Sequence, residues 1–75
     1  MISKITIAFI GPGVMAEAMI SGILRNKLTK PENILTSGPI VERGQELKKK
    51  YGIQPFNNKN REVAAKADVV ILSVK

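Results

Sequence analysis

Four short apolar runs, separated by amphipathic or polar stretches, set the plan of the chain. Ile5 to Ile10 is a β-favouring run that Gly11 and Gly13 stop. A helical pattern follows. Ala16, Met19, Ile20, Ile23 and Leu24 fall at i, i+3, i+4, i+7 and i+8, which is one face of a helix, while Glu17, Ser21 and Arg25 occupy the other. Asn26 and Lys27 end this helix, and Lys30-Pro31-Glu32 makes a loop. Ile34-Leu35-Thr36 reads as a second strand, turned by Ser37-Gly38-Pro39. Val41 to Tyr51 is a charged helix with Val41, Leu47 and Tyr51 facing inward and Gly52 as its C-terminal cap. Ile53 to Phe56 is a brief third strand and Asn57 to Asn60 a polar loop, with Asn60 placed to cap a short helix running to Lys66. Val69 to Val74 is almost continuously apolar and β-branched, which suits a strand buried on both faces.

The alternation β-α-β-α-β-α-β, with connections of a few residues, predicts a parallel α/β sheet. No internal repeat, linker or low-complexity tract interrupts it. At 75 residues the chain holds one small domain and no more. Chains of this size bury only about 60% of the surface that the unfolded state exposes, so stability is expected to be marginal. The apolar fraction of 44% suits a globular domain.

Composition removes several function classes. Cysteine and histidine are both absent. Disulfides, thiolate metal sites and the Ser-His-Asp and Cys-His forms of nucleophilic catalysis cannot be built from these residues. No stretch approaches the roughly 18 apolar residues of a membrane span, and Ile5 to Ile10 is too short for a signal-peptide core, so the reading is of a cytoplasmic protein. The net charge of +6 favours anionic partners, but the charges are scattered and only Lys48, Lys49 and Lys50 form a run. Without aromatic interleaving or a recognisable motif, nucleic acid is not an expected partner.

The residues that carry chemistry are Gly11-Pro12-Gly13-Val14-Met15-Ala16, a G-x-G-x-x-A that follows one predicted strand and opens one predicted helix. Gly11 allows a tight turn out of the strand, Gly13 lets a pyrophosphate approach the backbone, and Ala16 lets the helix lie close on the strand. The free N–H groups and positive end of the helix then hold the phosphates. The alternative is a Gly-rich βα turn that binds nothing. An NAD-preferring site usually places Asp or Glu about 20 residues beyond the glycines. Here Leu35-Thr36-Ser37-Gly38-Pro39 offers no carboxylate, while Ser37, Gly38 and the nearby Arg43 suit a 2′-phosphate, which favours NADPH. Ser37 to Pro39 also reads as a simple turn that caps the next helix. Asn60 is a helix cap or reaches the adenosine end of a cofactor. Asp68 reads as a turn or cap residue, and Met15 as packing. Ser73, Val74 and Lys75 sit at the carboxyl end of the fourth strand, where ligands bind in such sheets. Lys75 is either a solvated residue or a nicotinamide-side contact.

Taken together, these residues carry a family resemblance. Phe9 to Gly22, the Tyr51-Gly52-Ile53 step, Asn60-Arg61-Glu62-Val63 and Ala67 to Lys75 closely resemble the start of pyrroline-5-carboxylate reductases, and the resemblance runs through essentially the whole chain. It implies a Rossmann-type sheet of strand order 3-2-1-4. It also implies reduction of 1-pyrroline-5-carboxylate to L-proline with NADPH, or with NADH as the alternative cofactor. By position, Ile10, Gly11, Pro12, Gly13, Val14 and Met15 would hold the pyrophosphate. Ser37 and Gly38 would lie near the 2′ end of the adenosine ribose, Asn60 near the adenosine, and Ser73, Val74 and Lys75 near the nicotinamide half. Family members often carry Asn or Gln where this chain has Val14. Their fourth-strand motif usually continues with proline, whereas this chain ends at Lys75. The resemblance further implies that residues 1–75 are the N-terminal part of a dinucleotide-binding domain. A helical C-terminal domain would then form a homo-oligomer and supply most of the substrate pocket, and it would lie outside this chain. No proton donor or substrate-binding group is identifiable in these residues. A non-catalytic nucleotide-binding module, or another imine or β-hydroxyacid reductase sharing this N-terminal design, remain the alternatives.

Overall fold

The computed structural model describes residues 5–11 and 13–73. Four parallel strands, β1 (Ile7–Ile10), β2 (Ile34–Gly38), β3 (Gln54–Asn57) and β4 (Val69–Leu72), form one sheet in the order β3-β2-β1-β4. Three helices connect them: α1 (Val14–Arg25), α2 (Val41–Tyr51) and α3 (Asn60–Lys66). A single 3-10 turn at Pro31–Asn33 leads into β2. This is the expected α/β architecture with the expected strand order. β1 is flanked by β2 and β4, so both of its edges are paired and the apolar run Ile7-Ala8-Phe9-Ile10 is what a central parallel strand requires.

The alternation of side chains along β1 divides the core into two. On one face Phe9 joins Ala16 and Ile20 of α1, Ile34, Leu47 of α2 and Ile53, with Ile23, Leu24, Tyr51 and Ile71 around them. On the other face Ala8, Ile10 and Leu35 pack against Val63 of α3. The helical stripe read from the sequence is therefore centred on Ala16 and Ile20, and Met19 falls at its margin, partly exposed. The inner face of α2 carries Gly44, Leu47 and Tyr51, and Gly44 approaches β3 so closely that a Cβ there would lie 2.9 Å from the Cβ of Pro55. Gly52 ends α2 with φ of 79° and donates its N–H to the Lys48 carbonyl at 2.7 Å, the capping geometry its position suggests.

Several local expectations are corrected. Val41 is exposed rather than inward-facing, because the buried face of α2 runs through Gly44 and Leu47, and Val41 instead lines a shallow groove with Ile40, Pro55 and Phe56. Ser37 and Gly38 are the last residues of β2, not a turn, and no side chain caps α2 at Ile40. Asn60 is the first residue of α3 rather than its cap; Lys59 holds the cap position without a side-chain bond. The largest difference is β4. The apolar run suggested burial on both faces, yet Val69, Val70 and Leu72 are exposed. β4 lies at the sheet edge, α3 packs over β1 and β2, and the α1–α2 layer reaches only Ile71.

Candidate functional site

The strand order reverses direction between β1 and β4. β2 and β3 extend the sheet one way from β1, and β4 extends it the other way. In open parallel sheets the crevice at such a switch point, outside the carboxyl ends of the strands, is where ligands bind. The glycine turn lies there. Gly11 has φ of 89°, a conformation that an L side chain rarely adopts, and it donates its N–H to the Ser37 carbonyl at 2.9 Å. Gly13 closes the turn by donating to the Gly11 carbonyl at 2.9 Å and then serves as N-cap of α1.

Gly13 differs from Gly11 in one respect. Its φ of −90° is open to any residue, and a Cβ added to it would meet nothing within 4 Å. Neither the backbone conformation nor packing among the described residues demands glycine here. Among the described residues no side chain caps α1 at this position, so the N–H groups of its first turn are available to an acceptor. A bare backbone, open space in front of it and the positive end of a 12-residue helix fit an anionic phosphate group. Val14 and Met15 flank the turn with 85% and 73% of their surface exposed, and Ala16 is fully buried against the strand.

The other described residues expected in the site lie at or just beyond the strand ends and in the first turn of α3. Ile10 is buried at the end of β1. Ser73, just beyond β4, donates its N–H to the Ile10 carbonyl at 2.9 Å, and its hydroxyl bonds the Ile10 and Gly11 carbonyls. Ser37 is fully buried. Its hydroxyl donates to Asn60 Oδ1 at 2.6 Å and accepts the Lys59 N–H at 2.9 Å. The Gly38 carbonyl accepts the Asn58 N–H at 2.9 Å and Asn57 Nδ2 at 3.1 Å. Asp68 behaves as the expected turn residue: its carboxylate accepts the Thr6 N–H at 2.9 Å, aligning β4 with β1. Pro12, Val74 and Lys75 lie outside the described residues.

Glu17, on the face of α1 away from its apolar stripe, has a role that its position in the sequence does not announce. Glu17 is the hub of a charge cluster between α1 and α2. Its Oε1 accepts Arg43 at 2.8 Å, and its Oε2 accepts Lys50 Nζ at 3.1 Å and the Tyr51 hydroxyl at 2.9 Å. Hydrogen bonds from Arg43, then Lys50, then Tyr51 hold its carboxyl down from the ordinary 4.5 to about 2. Arg43 also reaches Glu46 at 2.6 Å and the Gly13 carbonyl at 3.2 Å. The legible signal was the spacing of Arg43 and Lys50, seven residues apart on one face of α2 beside the inward-facing Leu47.

Known proteins share this sequence and this fold. "Pyrroline-5-carboxylate reductase 2" of Bacillus subtilis is 47% identical over 70 residues, covering 92% of this chain and 25% of that protein. "Pyrroline-5-carboxylate reductase" of Corynebacterium melassecola is 44% identical over 70 residues, covering 93% and 25%. The solved structure of a pyrroline-5-carboxylate reductase from Coxiella burnetii superposes with a TM-score of 0.84 at 33% identity, covering 93% of this chain and 25% of that one. The chain thus spans about a quarter of the length of the relatives it matches. Residues 6–75 match the model of the family described as NADP oxidoreductase, coenzyme F420-dependent, and the chain belongs to that family.

Proposed function

We propose that this chain is the cofactor-binding part of a pyrroline-5-carboxylate reductase, an oxidoreductase that reduces the ring C=N bond of 1-pyrroline-5-carboxylate to give L-proline. The observation that carries the reading is Gly13, a glycine that neither its own φ nor the described residues packed around the turn require, at the bare N-terminus of α1. In this reading Ile10, Gly11, Pro12, Gly13, Val14 and Met15 hold the pyrophosphate against the first N–H groups of α1. Ser37 and Gly38 take the 2′ end of the adenosine ribose, Asn60 the adenosine, and Ser73, Val74 and Lys75 the nicotinamide half. NADPH, when bound, supplies the hydride. The chain's own residues orient it: Ser73 ties the end of β4 to the glycine turn, and the Gly11–Ser37 bond ties the turn to β2. The absence of a carboxylate at residues 35–39 supports NADPH over NADH. A helical dimerisation domain outside this chain would supply the substrate pocket of a homo-oligomeric, cytoplasmic enzyme. Among the described residues no helix is long and apolar enough to cross a membrane.

The test is turnover by the full-length protein. NADPH oxidation should depend on added pyrroline-5-carboxylate, yield L-proline in equal amount, and proceed with a higher kcat/KM than with NADH. Dinucleotide binding without substrate-dependent oxidation would make the chain part of a nucleotide-binding module instead. Oxidation driven by a different imine or a β-hydroxyacid, and not by this substrate, would reassign the reaction.

A further inference from the structure

A glycine kept bare for a ligand has a drawback. Gly13 forfeits both a capping side chain and the conformational restriction a Cβ imposes. If its carbonyl swings, the N–H groups of the first turn swing with it, and binding must then include the cost of ordering them. The Gly13 carbonyl is nonetheless held twice. It accepts the Glu17 N–H at 3.0 Å from within α1, and Arg43 of α2 at 3.2 Å from outside it. The same Arg43 nitrogen bonds Glu17 Oε1 at 2.8 Å, while the other terminal nitrogen bonds Glu46 at 2.6 Å. Glu17 in turn is fixed through its second oxygen by Lys50 and Tyr51, two turns further along α2.

We infer that Glu17 and Arg43 form a clamp that holds the Gly13 carbonyl, and through it the phosphate-binding turn, in its binding orientation. Arg43 is then a positioning residue for any dinucleotide, rather than the reader of the 2′-phosphate that its place after β2 suggests. The inference rests on the proposed dinucleotide binding. A planar guanidinium suits the task, because its fork of donors serves one carbonyl and two carboxylates at fixed angles, which a lysine ammonium cannot do. Glu17 stays ionised throughout the neutral range, so its hold on Arg43 does not lapse there.

The two roles for Arg43 predict opposite signs, which makes them separable. Affinities of the full-length protein for NADPH and for NADH are measured by fluorescence titration, alongside the melting temperature of each variant. For a clamp, Arg43→Gln and Glu17→Gln each weaken both dinucleotides by the same factor, about tenfold, the scale of one charge-assisted hydrogen bond. The ratio between the two cofactors stays unchanged, Arg43→Lys falls between wild type and Arg43→Gln, and the double variant is no worse than Arg43→Gln. For a 2′-phosphate reader, Arg43→Gln weakens NADPH alone. Glu17→Gln then tightens NADPH, because the competing carboxylate is gone. Either of those results, or unchanged affinity for both cofactors in Arg43→Gln, overturns the clamp. If Arg43→Gln fails to fold, the sign of the Glu17→Gln effect decides. Wild-type protein that binds neither dinucleotide overturns the proposed function, and the clamp with it, before any substitution is made.

Discussion

The Ser37 hydroxyl donates a 2.6 Å hydrogen bond to Asn60 Oδ1, joining the carboxyl end of β2 to the first turn of α3. The same oxygen accepts the Lys59 N–H, so one buried side chain orders the start of a helix that has no capping side chain of its own. Ser37→Ala removes both contacts. The expected loss is about 1–2 kcal/mol of stability, since neutral hydrogen bonds contribute about 1 kcal/mol each. Urea denaturation measures it. A variant as stable as wild type would show that α3 is positioned by Val63 packing alone.

Ala16 is fully buried in the contact between α1 and β1, beside Phe9 and Ile20. Ala16→Leu has no space to occupy and must push the helix off the strand. Overpacking of this kind costs about 1–3 kcal/mol. Because the same helix presents the turn at Gly13, dinucleotide affinity should fall along with the melting temperature. Native affinity in a destabilised variant would separate the two effects and locate the binding N–H groups elsewhere.

Thr36 Oγ1 is buried in β2 and has no hydrogen-bond partner among the described residues. An unmet buried hydroxyl is a standing cost, and valine has nearly the same shape without it. Thr36→Val is expected to raise stability by about 1 kcal/mol, or about 4–8 °C in a domain of this size. Thermal unfolding followed by circular dichroism reads this directly. A loss of stability would show that burial of this hydroxyl carries no net cost.

The Glu17 cluster sets a pH dependence with a definite sign. Its carboxyl titrates lower in the folded chain, about 2, than its ordinary 4.5, chiefly because Arg43 and then Lys50 and Tyr51 hydrogen-bond the charged form. The folded state therefore binds this proton less readily than the unfolded state does. The stabilisation is complete above 4.5 and is lost as pH falls from there through about 2. The stability gap between wild type and Glu17→Gln should be constant near neutrality and close over that acid range. A gap that persists at the acid end would assign the effect to packing rather than charge.

β4 pairs with β1 on one side, and its outward Leu72 is 72% exposed. An exposed apolar edge strand with open N–H and C=O groups is a template for pairing with another chain. The 75-residue chain is expected to self-associate through this strand. Leu72→Lys should shift it toward monomer in size-exclusion chromatography with light scattering, without lowering the melting temperature. Equal masses for the two proteins would remove β4 from the contact.

Features that depend on near neighbours along the chain are legible in the amino-acid order. Hydrophobic periodicity placed all four strands and all three helices, with ends that moved by a few residues at most. The Gly11 turn, the Gly52 cap and the small Ala16 were legible because steric limits on φ and on helix–strand approach act over a few residues. Tertiary structure decided whatever depends on partners far away in the chain. Glu17 and Arg43 are 26 residues apart, and Ser37 and Asn60 are 23 apart. The seven-residue spacing of Arg43 and Lys50 marks a basic face of α2, but it does not name Glu17 as the partner, because the meeting requires two helices, or a strand end and a helix, to be brought together by the sheet. The exposure of Val69, Val70 and Leu72 is of the same kind. Their apolar character is local, but whether anything covers them depends on where β4 joins the sheet and how far the helical layers extend.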